Sequence, residues 1–170
     1  MFRSSFFRRA LLATLAFALW VLGVPPLQAQ TEQVYAPAPS SGGQFGLGFV
    51  FGEPTGVNAK LWQTQDIAVD AGLAWSVVED AATTIYGDVL WHQFGLLDVA
   101  NGTLPVYLGA GARFQFADET HFGIRTVVGL DYILAKAPFD VFLELVPTFD
   151  LAPETDFVVT AAVGFRYFFR

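Results

Sequence analysis

The last stretch of the chain, Phe157 to Phe169, restricts the fold more than any other. Its odd positions are Phe157, Val159, Ala161, Val163, Phe165, Tyr167 and Phe169, all apolar or aromatic. Its even positions, Val158, Thr160, Ala162, Gly164, Arg166 and Phe168, are mostly small or polar, with one charge. A period of two means one continuous strand with two unlike faces. The stretch runs thirteen residues, well beyond the about five or six of an ordinary globular strand. A face that is greasy along its whole length, with aromatics at both ends, is how a strand crossing a bilayer reads.

Seven more segments alternate in the same way, divided by turn residues. The first runs from Phe45 to Phe51, with Phe45, Leu47, Phe49 and Phe51 opposite Gly46 and Gly48. The second, Val57 to Trp62, sets Val57, Ala59 and Leu61 against Asn58 and Lys60. The third, Ile67 to Ser76, sets Ile67, Val69, Ala71, Leu73 and Trp75 against Asp70, Gly72 and Ala74. The fourth is expected from Thr84 to about Leu97, followed by the hairpin signal Asn101-Gly102. The fifth spans Leu104 to Gln115, the sixth Phe122 to Leu134 and the seventh Phe139 to Phe149. Eight strands make the smallest even-numbered antiparallel barrel of the transmembrane kind, with an interior just wide enough for side chains to fill it. The expected fold is therefore all-β: an eight-stranded, up-and-down transmembrane β-barrel over residues 45–170.

A soluble eight-stranded barrel of the lipocalin kind also alternates, but its second face would be a solvent surface rich in Lys and Glu. Here that face is dominated by Gly46, Gly48, Gly72, Gly109, Gly111, Gly123, Gly129 and Gly164. Glycine suits a narrow lumen better than a solvent face. The same face carries Lys60, Arg113, Arg125 and Arg166 against Asp70, Asp88, Asp131 and Glu144. Four bases facing four acids form the paired set that a low-dielectric interior tolerates, since breaking a buried pair costs roughly 3–5 kcal/mol. With the N-terminus on the periplasmic side, Phe51, Trp75, Phe114, Phe122, Phe149 and Phe157 fall at the outer strand ends. Phe45, Trp91, Tyr132 and Phe169 fall at the inner ends. These are the two aromatic girdles of an outer-membrane barrel.

The N-terminal residues fit a secretory signal over 1–29. Arg3, Arg8 and Arg9 precede the apolar run Ala10 to Val24, Pro25-Pro26 breaks it, and Ala29 offers a small residue at the cleavage edge. The run is fifteen residues long, short of the ~20 an anchor helix needs. Residues 30–44, rich in Pro, Ser and Gly, read as a flexible periplasmic leader. Removing the three signal arginines from nine basic residues leaves six against sixteen acids, a net −10. Such a balance argues against nucleic acid as a partner. The chain has no cysteine, which excludes a disulfide framework, a Cys-ligated metal and a thiol nucleophile.

The stretches FGLGFVFGEPTGVNAKLW, LPVYLGAGARF, GIRTVVGLDYIL, DVFLELVPTFDLAPETDF and GFRYFF resemble a family of small bacterial outer-membrane β-barrels. The GEPTG first loop, Gly52 to Gly56, is the most specific part of that likeness. The resemblance implies an eight-stranded barrel related in shape to OmpA/OmpX-type proteins, and no settled biochemical activity. It also implies a C-terminal insertion signal, here Tyr167 and Phe169, although Arg170 rather than an aromatic ends the chain.

The inward charges are the best-defined constellation. By depth, Arg113 and Arg125 should lie toward the outer half near Asp88 and Glu144. Arg166 should lie toward the periplasmic half, near Asp131 and Asp70. A plug of salt bridges is the plain reading and an ion path the sharper one. An outer-rim enzyme acting on lipids would need a nucleophile and base within hydrogen-bond reach. His92, His121 and Ser76 are the only candidates, and no GxSxG-like motif supports them. No EF-hand spacing or cofactor motif is present, so no catalytic, cofactor or metal residue is assigned. The acids of the short loops (Glu79-Asp80, Asp118-Glu119, Glu154, Asp156) suit solvation and divalent bridging to lipopolysaccharide. The longest unpatterned connector, around Asp98 to Thr103, falls on the periplasmic side, which disfavours an adhesin. The expected protein is thus a monomeric outer-membrane barrel without catalysis, in contact with membrane lipids and lipopolysaccharide and assembled by the outer-membrane insertion machinery. A narrow pore is the alternative.

Overall fold

The computed structural model describes residues 41–76 and 82–170. The expected signal peptide, the leader as far as residue 40 and the pair Glu79-Asp80 lie outside the described residues. The strands are β1 (Phe45–Gly52), β2 (Thr55–Trp62), β3 (Ile67–Ser76), β4 (Ala82–Gln93), β5 (Gly102–Thr103), β6 (Val106–Phe116), β7 (Thr120–Leu134), β8 (Phe139–Ala152) and β9 (Asp156–Phe169). The eight long strands pair antiparallel with their neighbours, and β9 pairs with β1, so the sheet closes on itself. β5 is a two-residue addition to the lower end of β7, opposite Ile133 and Leu134.

The registers fix the geometry of closure. A path across the ladders from Phe157 passes Phe149, Ile124, Ala112, Gly87, Ala71, Ala59 and Leu47 and returns to β9 at Tyr167, ten residues along. Eight strands with that stagger tilt by about 41° and leave a backbone cylinder of about 8 Å radius, given ordinary strand spacing and rise. Such a cylinder leaves room for side chains and little else.

Space inside is made by pairing aromatics with glycines. Tyr86 stands opposite Gly72, Tyr107 opposite Gly129 and Phe142 opposite Gly164. A Cβ on any of these glycines would collide with the facing ring. These three large rings fit inside because a neighbouring strand has no side chain beside each, which accounts for part of the glycine-rich inner face.

The outer face is apolar around the ring. Phe49, Leu73, Ile85, Leu108, Ile124, Leu143 and Val163 are all exposed at mid-strand. At the end where β1 begins and β9 ends, called here the terminal end, Phe45, Phe139, Tyr167 and Phe169 form an aromatic cluster, with Tyr167 set edge-on to both Phe139 and Phe169. The opposite end, called here the loop end, is ringed by Trp75, Phe114, Phe116, Phe149 and Phe157, all exposed, with Phe122 half-buried.

Several strand limits differ from those read in the sequence. The fourth strand stops at Gln93 rather than near Leu97, because Gly95 takes a left-handed φ of 79°, the conformation glycine favours. Phe94 then turns in against Trp62, and Leu96 and Leu97 are left exposed. The next long strand begins at Val106, after Pro105, not at Leu104. Gly102, read as a turn residue, pairs with Leu134 instead. β8 continues to Ala152, past the expected end at Phe149.

Candidate functional site: the barrel interior

Alternation along tilted strands stacks the inward side chains in layers. Lys60, Asp70, Asp88, Arg113, Arg125, Asp131, Glu144 and Arg166 are all buried in the interior. Asp140 and Asp150 join them. Sequence reasoning missed both, leaving one unassigned and putting the other in a loop. Each shares the parity of Glu144 on β8, and that was the signal available. The balance of four against four is therefore corrected to four bases against six acids.

The layer nearest the termini is the most tightly connected. Lys60 Nζ donates to Asp131 Oδ2 and lies 2.8 Å from His92 Nε2. Arg166 Nε donates to both Asp140 carboxylate oxygens at 3.0 Å, Nη1 donates to Asn58 Oδ1 at 3.0 Å, and Nη2 lies 3.0 Å from Asp140 Oδ2 as an ion-pair contact. It also comes within 3.6 Å of Asp131. Its guanidinium lies over the Phe142 ring at 4.1 Å, while Lys60 sits 4.4 Å from the Trp62 ring. His92 Nδ1 reaches the Asp66 carbonyl at 3.3 Å. If Nδ1–H donates there, Nε2 presents its lone pair to the Lys60 ammonium. Below this layer Trp62, Ala68, Ile133 and Phe168 pack together, with Phe94 against them, and seal that end with hydrocarbon.

The middle layer holds one base and three acids. Arg125 lies 3.1 Å from Asp88 and 4.0 Å from the Tyr86 ring. Asn58 bridges Asp70 and the Tyr86 hydroxyl, both at 3.1 Å. Tyr107 donates to Glu144 Oε1 at 2.6 Å. Asp70 faces Asp88 across the β3–β4 ladder. At the loop end Arg113 grips Asp150 through Nε and Nη2, at 3.3 and 2.7 Å. Of the expected proximities, Arg125–Asp88 and Arg166–Asp131 are present. Arg113 pairs with Asp150 instead of Asp88 or Glu144, and Arg166 takes Asp140 where Asp70 was expected.

The loop half is less full than the terminal half. A cavity of about 360 Å³ opens among Glu53, Ser76, Thr84, Arg113, Gln115 and Thr160. A second, smaller space of about 40 Å³ shares Glu53, Thr84, Arg113 and Thr160 with it and reaches deeper, to Tyr86, Arg125, Glu144 and Val146. Among the described residues the lumen is thus open from the loop end and blocked at the other.

The candidates for lipid chemistry do not meet. His92 is buried in the terminal layer, stacked on Tyr107 at 4.9 Å and committed to Lys60. His121 stands opposite Gln115 on β6, and Ser76 opposite Ala82. β4 and β6 lie between the last two. No group of three or more His, Asp or Glu among the described residues is arranged to hold a metal ion.

No protein-family model matches the chain, and no curated protein matches it. Among solved structures it is similar to the N-terminal β-barrel domain of Pseudomonas aeruginosa OprF, with a TM-score of 0.54 and 15% identity, covering 72% of this chain and 95% of that one. At that identity the match carries the fold and neither the GEPTG loop nor a family. In fold, the chain is a closed, eight-stranded, antiparallel β-barrel of the OmpA-like kind.

Proposed function

We propose that this protein is an integral barrel of the bacterial outer membrane whose own side chains fill its lumen, and that it serves as a structural or interaction element without catalysis. The carrying observation is the inside-out distribution of side chains. Hydrocarbon faces outward on every long strand while ten acidic and basic side chains, four Lys or Arg and six Asp or Glu, are buried within. Water would penalise that exterior, whereas a bilayer matches it. The lipid partners are outer-membrane lipids on the apolar belt, with lipopolysaccharide bridged through divalent ions to the exposed acids of the loop end. Tyr167 and Phe169, exposed on the outer face of the last strand, suit recognition by the insertion machinery. The barrel works as a monomer, and the signal peptide takes it across the inner membrane. Cell fractionation with protease shaving tests this reading: the barrel should sediment with outer membranes and resist digestion. Recovery of a water-soluble monomer without detergent would overturn it.

A narrow pore is the second reading, favoured by the cavity that enters from the loop end. The hydrocarbon seal of Trp62, Ala68, Ile133 and Phe168 weighs against continuous conduction. Planar-bilayer recording separates the two, since stable single-channel steps support the pore and a silent membrane supports the filled barrel.

A further inference from the structure

We propose that the loop-end cavity is a binding site for a small organic cation, a polyamine or a similar alkylammonium. The charges of the interior are not evenly distributed. The terminal layer balances Lys60 and Arg166 against Asp131 and Asp140. At the mouth Arg113 is matched by Asp150. The middle layer sets Arg125 alone against Asp70, Asp88 and Glu144, so the whole excess of two negative charges sits in the layer from which Glu144 reaches the cavity floor.

Glu144 faces that space. Its Oε1 accepts the Tyr107 hydroxyl, and Oε2 is left open to the cavity that the side chain lines, although the residue is only 4% exposed. A buried carboxylate with a free oxygen draws a cation strongly, because little water competes for it. The walls above it alternate in character. Val50, Ala74 and Ala162 offer apolar surface for methylenes, and Thr84, Thr148 and Thr160 offer hydroxyl acceptors for ammonium groups. Arg113 and Arg125 also line the space, but each is held against its own carboxylate. The approach is acidic too: Glu53, Asp118, Glu119, Glu154 and Asp156 are exposed at the loop end, while the exposed bases Lys136 and Arg170 are at the other. A single-sign entrance raises the local concentration of counter-ions. The outer space of about 360 Å³ suits a linear chain of several methylenes better than a bare metal ion, and the space of about 40 Å³ beside Glu144 admits one terminal ammonium group.

The site does not depend on whether the barrel conducts. Its test is calorimetric titration of spermidine into the full-length mature barrel in detergent micelles. Wild type should bind one spermidine saturably. Glu144→Gln keeps the Tyr107 contact and should weaken binding by at least about tenfold. The rim double variant Glu154→Gln/Asp156→Asn should retain the site. Thr160→Phe, which fills the cavity without changing a charge, should abolish it and decides the matter if Glu144→Gln does not fold. Absence of saturable binding, or loss in the rim variant with Glu144→Gln and Thr160→Phe unaffected, would overturn the proposal.

Discussion

Arg166 has no solvent exposure and touches Asp140, Asp131 and Asn58 at once. Asp140→Ala leaves that guanidinium without its two-pronged partner and should cost roughly 3–5 kcal/mol, measured by urea unfolding in micelles. Asp118→Ala, on the exposed loop, should stay within about 0.5 kcal/mol. The aromatic–glycine pairs predict a second residue-scale effect. A methyl group at Gly129 meets the Tyr107 ring, so Gly129→Ala should destabilise by about 1–3 kcal/mol. Tyr107→Leu in the same chain should recover part of that loss, a coupling that a double-mutant cycle reads directly. The inward position of eight charges was legible from parity alone. Their partners were not, because pairing depends on the stagger between strands that are far apart in sequence, as Lys60 and Asp131 are.

At the scale of the strand, the lipid-facing stripe sets the cost of polarity. Leu145 lies midway along β8 and is exposed. Leu145→Arg should cost about 2–4 kcal/mol, against about 0–1 for Leu151→Arg near the loop-end rim, both measured by reversible unfolding into lipid vesicles. The alternation that identifies the strands also gave their faces, as the inward Lys60 and Arg166 show. Strand ends were less legible. The fourth strand is cut short by the left-handed Gly95 and the inward Phe94, features that look like a continuing apolar run when read as sequence. The extension of β8 through Asp150 was hidden because an acid after Phe149 looks like the start of a loop. Its bidentate contact with Arg113 on a distant strand keeps it inside.

For the whole molecule, closure is the property the chain most plainly encodes, and the similarity to the OprF barrel over 72% of the chain agrees with it. Closed, unheated protein should migrate faster on a denaturing gel than boiled protein, and Phe169→Ala should lower the yield of the fast form during assembly without abolishing it. The unequal strand lengths already read in the sequence become an uneven wall once the barrel closes. β1 and β2 have eight residues each, whereas β7 has fifteen. β9 pairs with β1 only from Phe169 back to Ala162, so among the described residues the segment from Asp156 to Ala161 rises beside the β1–β2 turn without a strand partner on that edge. Acyl chains on this flank therefore meet a shorter hydrophobic wall than those beside β7 and β8. In a bilayer the leaflet at the loop end has to thin there, or the cylinder has to lean, to remove the mismatch. Either way the barrel imposes a direction within the plane of the membrane, and neighbouring lipids and proteins will sense its low side first.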